Sequence, residues 1–230
     1  MINFKILTLF PNLFPGPLGE SVTGIALKKG LWGLDSFNIR DYSKDKHKNV
    51  DDTPYGGGAG MVLRADVVGG AIEDVKSKKS KIIYLSPRGK KFDQKVARRL
   101  AKEEEIILLC GRYEGVDQRV LDEYEVEELS IGDYVLSGGE MAAYVVVDAV
   151  LRNIDDVLGA DESLSEESFG FKDGDEYENL LEYPQYTRPE EWSGRMVPEV
   201  LKSGHHANIK KWQKEQAVEV TKKNRPDLLG

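Results

Sequence analysis

The sequence predicts an α/β protein: a parallel sheet with helices on both faces, followed by a small helical portion. Two observations carry this. Short apolar runs alternate with amphipathic stretches through the first two thirds of the chain, the pattern that builds βαβ units. The composition then breaks near Asp155, where an acidic, glycine-containing stretch precedes a basic C-terminal end.

Ile2 to Leu9 reads as a strand ended by Phe10-Pro11, Leu18 to Lys29 as a helix closed by Gly30, and Leu34 to Ile39 as a second strand. Asp41 to Gly60 is too long and polar for a tight connection, and such loops are usually functional or disordered. Its glycines (Gly56, Gly57, Gly58 and Gly60) match neither GxxxxGK[ST] nor GxGxxG, so the common nucleotide-phosphate readings fail. Arg64 to Lys78 reads as helix, Lys81 to Leu85 as strand, Ser86 to Gly89 as turn, and Phe92 to Lys102 as a basic amphipathic helix. Glu105 to Cys110 is a strand, Val116 to Tyr124 a short helix, and Val126 to Ile131 a strand. The string SIGDYVLSGGE (Ser130 to Glu140) follows, leading into the apolar helix Met141 to Leu151. Three successive strands thus end in glycine- or proline-bearing loops, at Ser86, Gly111 and Gly132. In open α/β sheets ligands sit beyond the carboxyl ends of strands. Such a loop can offer backbone N–H and C=O groups to a flat ligand, or be no more than a tight strand-to-helix connection.

Asp155 to Glu182 reads as a linker, Pro184 to Pro198 as loop, and Val197 to Leu201 and His205 to Lys222 as helices. In the last, Ile209, Trp212, Gln216 and Val220 form the expected buried stripe, which favours Trp212 as a core residue over a base-stacking platform.

Of 230 residues, 40% are hydrophobic and 31% charged, an ordinary globular composition with a net charge of −8. The charge is uneven: residues 195–230 carry +4, residues 151–194 carry −10, and Lys76 to Arg99 holds ten basic residues against Asp93 alone. Basic patches on an acidic chain can still form a phosphate footprint, or be solvated helix faces. The single cysteine, Cys110, forbids an intramolecular disulfide and reads as a small buried hydrophobe; with three histidines it argues against structural zinc. No apolar run is long enough to span a membrane and no signal segment is evident, so a cytoplasmic protein without membrane association is expected.

Several strings resemble the bacterial tRNA (guanine-N1)-methyltransferases, the TrmD family of the SPOUT class. They are Val50 to Met61, Tyr84-Leu85-Ser86-Pro87, Cys110 to Gly115, Ser130 to Glu140, Tyr186-Thr187-Arg188-Pro189 and Ser203 to Ala207. The resemblance spans nearly the whole chain. It implies a trefoil-knotted S-adenosylmethionine-binding methyltransferase domain (1–158), an acidic interdomain linker (159–183) and a helical tRNA-binding domain (184–230). It implies a homodimer with the active site at the subunit interface, and methylation of guanine N1 in tRNA, immediately 3′ of the anticodon. Carried over, Tyr84, Leu85, Ser86, Pro87, Gly111, Ile131, Gly132, Asp133, Tyr134, Val135 and Leu136 surround S-adenosyl-L-methionine, and Arg152 is the catalytic arginine. The family's base is an aspartate in "DSF"; here Glu166-Glu167-Ser168-Phe169 puts Glu167 in its place. The following segment, around Phe171 to Glu178, is longer than the family's, and the C-terminal end is short. A Mg2+ ion near Glu114 and Glu167 is compatible with this chemistry, though no ligand spacing is diagnostic. By residue type alone Glu167 is a solvated acid and Arg152 a helix C-terminal cation. Two rivals remain: a SPOUT methyltransferase for another RNA position, and a non-catalytic RNA-binding module.

Overall fold

A computed structural model describes residues 1–157, 167–170, 174 and 176–230. The chain forms two compact units, Met1–Gly159 and Ala160–Gly230.

The first unit is built on a five-stranded sheet. Its strands are β1 (Ile2–Thr8), β2 (Trp32–Asn38), β5 (Ser80–Lys91), β6 (Glu105–Cys110) and β7 (Glu127–Ser130), in the order β2-β1-β6-β5-β7. Every pairing is parallel. Parallel strands need crossovers, and those crossovers put apolar helices on both faces. Alternation along each strand divides the core accordingly. Phe4, Ile6, Ile83, Leu85, Ile106 and Leu108 face α1 (Ser21–Lys28), α3 (Gln94–Leu100) and α5 (Glu140–Leu151). Leu7, Ile82, Tyr84, Ile107 and Leu109 face α2 (Ala65–Val75) and α4 (Gln118–Glu123). In α5, Val146, Val147 and Val150 are fully buried, each worth about 1.5–3 kcal/mol of transfer free energy.

Several boundaries differ from expectation for physical reasons. The first helix begins only at Ser21, because Gly16–Gly19 forms a separate 3-10 turn after Pro15. The turn at Ser86 to Gly89 is a bulge inside β5: pairing with β7 shifts register between Leu85 and Lys90, then resumes. The long polar stretch is ordered in part as an antiparallel pair, β3 (Asp51–Asp52) and β4 (Val62–Leu63), with the glycines at its tip. Leu63 N–H then donates to Gly115 O at 2.9 Å and Glu114 N–H to Met61 O at 2.9 Å, which docks this hairpin against the loop after β6.

The second unit contains α6 (Glu199–Lys202) and α7 (His206–Asn224). The loop expected before them holds a small hairpin, β8 (Glu191–Trp192) and β9 (Arg195–Met196). Its two-residue turn, Ser193-Gly194, has positive φ at both positions, which matches hairpin twist. The expected stripe of α7 is corrected: Ile209, Trp212, Gln216 and Val220 are only half-buried, and the buried positions are Ala217 and Thr221. Small residues there let Tyr177 and Leu180 close onto the helix. The Thr221 hydroxyl is satisfied by donating to Ala217 O at 2.7 Å and accepting from Leu181 N–H at 2.8 Å. Trp212 lies beside Tyr186, ring centroids 6.1 Å apart.

Candidate active site

Because β6, β5 and β7 are adjacent and parallel, their C-terminal ends open on one edge of the sheet. The bulge within β5 and the loops after β6 and β7 enclose a cavity of about 300 Å³ there, the lower end of the range for small-molecule sites. Tyr84, Leu85, Ser86 and Pro87 line it from β5, Gly111 from β6, and Ile131, Gly132, Tyr134, Val135 and Leu136 from the loop after β7. Asp133 is not among the lining residues. The walls also include residues not matched to the cofactor from the sequence: Arg88, Arg112, Tyr113, Glu114, Gly115, Ser137, Gly138, Gly139 and Ala142. Most continue the same strand-end loops, so the rule that pointed to Gly111 and Gly132 reaches them as well.

The cavity depends on close backbone approach. At Gly139 an added Cβ would lie 2.7 Å from the Cα of Cys110, and Gly139 N–H donates to Gly111 O at 3.0 Å. The loop after β7 and the end of β6 thus touch backbone to backbone. Gly132 has φ +149°, a conformation unfavourable for side-chain-bearing residues, and a Cβ there would meet the Tyr134 ring at 2.6 Å. The Tyr84 phenol is pushed up by burial first, with Glu128 adding to it and Arg88 opposing.

Arg112 belongs to a charged cluster whose pairing the sequence reading did not reach, and whose other members, Thr8 and Glu140, lie outside the cavity lining. Glu140, the first residue of α5, is 1% exposed. Its Oε1 accepts from Thr8 Oγ1 at 2.7 Å and from Arg112 Nε at 3.3 Å. Arg112 Nη2 lies 2.8 Å from Oε2 as an ion pair, without hydrogen-bond alignment. Arg112 Nη1 also donates to Ser137 O at 3.0 Å, and its guanidinium covers the Phe10 ring at 4.5 Å. Burial first, then the Glu140 carboxylate, pushes the Cys110 thiol well up.

Arg152 caps the C-terminal end of α5, its N–H donating to Asp148 O at 3.1 Å, and belongs to the first unit. Glu167 belongs to the second unit, and its carbonyl accepts from Gly170 N–H at 3.0 Å. The adjoining Ser168-Phe169 is tied down: Phe169 N–H donates to Leu180 O at 2.8 Å and Glu182 N–H to Ser168 Oγ at 2.9 Å. Glu166 and most of the acidic linker lie outside the described residues. Among the described residues no group of three or more His, Cys, Asp or Glu gathers as a metal site, and no helix is long and apolar enough to cross a membrane.

A parallel sheet covered by helices on both faces, with a glycine-walled cavity beside three adjacent strands, defines a protein of the α/β class. Comparison with known proteins narrows that. Residues 2–230 match the family model described as tRNA (Guanine-1)-methyltransferase TrmD. A Wolbachia pipientis protein named tRNA (guanine-N(1)-)-methyltransferase is 53% identical over 99% of this chain and 95% of its own length. Like-named proteins of Anaplasma phagocytophilum and Cereibacter sphaeroides are 53% and 54% identical, covering 98% and 97% of the chain and 95% and 90% of their own lengths. The chain belongs to the TrmD family.

Proposed function

We propose that this chain methylates N1 of guanine in tRNA, at the guanosine immediately 3′ of the anticodon, with S-adenosyl-L-methionine held in the strand-end cavity. The observation that carries the cofactor assignment is the cavity: ten of the eleven residues matched to the cofactor line it, and its walls combine glycine backbone and apolar side chains, suited to a flat adenine, with polar groups such as Ser86 and Glu114. Bound there, S-adenosylmethionine supplies a methyl group on a positively charged sulfur.

The rest of the chemistry falls to protein side chains. Guanine N1 carries a proton at neutral pH and faces the pairing partner, so the base must be unpaired, as in an anticodon loop. The Glu167 carboxylate takes that proton as the N1–methyl bond forms. Removing it leaves negative charge on the O6–N1 system, which the Arg152 guanidinium stabilises. Transfer assays with and without Mg2+ decide whether the ion assists these steps.

We extend the assignment to the family's trefoil knot, a cytoplasmic setting and a homodimer. The dimer is supported by apolar residues that one chain leaves open on one face of the sheet: Met141 and Val145 of α5, with Val22 and Ile25 of α1. tRNA contact by the second unit is supported by α7, whose Lys210, Lys211, Lys222 and Lys223 are exposed.

The test is incubation of the purified protein with labelled S-adenosylmethionine and an unmodified tRNA transcript, followed by nucleoside analysis. Label in 1-methylguanosine at the predicted position is the expected result. Label at another nucleoside would favour a different RNA target, and no label would favour a non-catalytic RNA binder.

A further inference from the structure

The loops after β6 and β7 are joined by Gly139 N–H to Gly111 O and by Arg112 Nη1 to Ser137 O. The cluster that supplies the second of these bonds reaches on to β1 and α5. Glu140 opens α5 directly after Gly138-Gly139, Thr8 ends β1, and Arg112 follows β6. Arg112 therefore holds two elements at once: the Glu140 carboxylate, and Ser137 O in the loop after β7. Only glycine fits between them, because a Cβ at Gly138 would lie 2.3 Å from Arg112 Nε and 2.6 Å from Glu140 Oε2. Burial of Glu140 makes the arrangement decisive, since an acid removed from water is tolerable only while its partners stay in place.

The geometry points to Thr8, Arg112 and Glu140 as a positioning cluster that fixes the separation of the loops after β6 and β7, and with it the affinity for S-adenosylmethionine. Thr8 and Glu140 lie outside the cavity lining and act through Arg112 and the Ser137–Gly139 wall, whereas Arg112 itself lines the cavity, so Glu140→Gln is the variant that reads positioning without a lost wall contact. The inference rests on the cofactor assignment of the cavity made above.

Calorimetric titration of the full-length protein with S-adenosylhomocysteine tests it, alongside KM and kcat and the melting temperature of the ligand-free protein. Arg112→Met leaves an apolar stem and no donors, and Arg112→Lys keeps the charge but cannot serve Glu140 and Ser137 together. Arg112→Met should weaken binding about ten-fold or more, the loss of one or two charge-assisted bonds. Arg112→Lys should fall between it and wild type. The KM for S-adenosylmethionine should rise with binding, and the KM for tRNA should stay put. Glu140→Gln should weaken binding likewise, and the double variant should be no weaker than the worse single one, because the residues act as one unit. Binding within two-fold of wild type in well-folded Arg112→Met, or strictly additive losses in the double variant, overturns the inference while leaving the cofactor assignment intact. Wild-type protein that does not bind S-adenosylhomocysteine overturns both.

Discussion

Gly139→Ala adds one methyl where two backbones meet. The new Cβ would stand 2.7 Å from Cys110 Cα, 3.0 Å from Gly111 N and 3.2 Å from Cys110 C. Carbon atoms pack at about 3.5–4.0 Å, so the N-terminus of α5 must withdraw by roughly 0.8 Å or more. Neither side can turn away, since the obstructing atoms are main chain at the buried end of β6. Backbone strain is not the cause: Gly139 sits at φ −76°, ψ −11°, which alanine adopts freely. Overpacking of this kind costs about 1–3 kcal/mol. The Gly139 N–H to Gly111 O bond stretches with it, adding about 0.5–1.5 kcal/mol. A loss of about 2–4 kcal/mol in a domain of this size lowers the melting temperature by roughly 4–16 °C. The same displacement moves a cavity wall, so S-adenosylhomocysteine should bind about ten-fold more weakly or worse by calorimetry. Gly69→Ala is the control: it lies inside α2, where a Cβ would meet only the Tyr124 ring and hydroxyl at 3.5–3.7 Å. It should be neutral or gain up to about 1 kcal/mol from helix propensity, with affinity unchanged. A Gly139→Ala protein that melts and binds like wild type would refute the close-approach account of the cavity.

Glu167→Gln keeps the side chain's size but cannot accept the N1 proton. Methyl transfer in a single turnover should fall by about 10²–10⁴-fold, while S-adenosylhomocysteine affinity stays within two-fold; full retention of transfer would place the base elsewhere. Tyr42 has its phenol pushed up to about 12, by burial first and then by its hydrogen bond to Asp74. Folding favours the protonated form, so its contribution to stability is fully present below pH 10 and is lost as pH rises through about 12. Denaturant melts should show wild type losing stability relative to Tyr42→Phe across that window, and parallel curves would contradict the assignment. Native Cys110 should resist iodoacetamide at neutral pH, because it is fully buried and its thiol is pushed well up; alkylation at the rate of a free thiol would show that the site opens.

Legibility followed the physics of each element. β6 was readable residue for residue, since a run of five apolar positions bounded by Glu105 and Gly111 leaves little choice in a sheet covered on both faces. The three converging loops were readable because strand order needs no knowledge of side-chain contacts. The β5 bulge was not: Ser86 to Gly89 looks like a turn locally, and only pairing of Lys90 and Lys91 with β7 keeps it in the sheet. Asp133 was carried over with its neighbours, yet neighbours in a tight loop point in different directions, and it falls outside the cavity lining. The α7 stripe failed because apolar size was weighed above fit, while the packing there is set by Ala217 and Thr221. The Arg112–Glu140 pair lies 28 residues apart in sequence, and no periodicity links two charged residues at that distance.

Cofactor binding and proton removal are assigned to different parts of this chain, and that division is itself informative. The described residues that line the cavity all lie within Met1–Gly159, on segments whose geometry β5, β6 and β7 dictate. Glu167 belongs to the other unit, on a segment tied to Leu180 and Glu182 by hydrogen bonds from Phe169 and to Ser168. If Glu167 is the base, it is carried on a different unit from the cavity and need not be in place before the RNA arrives, whereas a preformed cavity spares the affinity that shaping it on binding would consume. Variants should therefore sort by position and not by residue type. Changes at Gly139 or Arg112 lose cofactor affinity and carry activity down with it. Changes at Glu167 lose transfer with the cofactor still bound. A Glu167 variant that loses cofactor affinity as deeply as Gly139→Ala would mean that the second unit helps to build the pocket, and the division would fall.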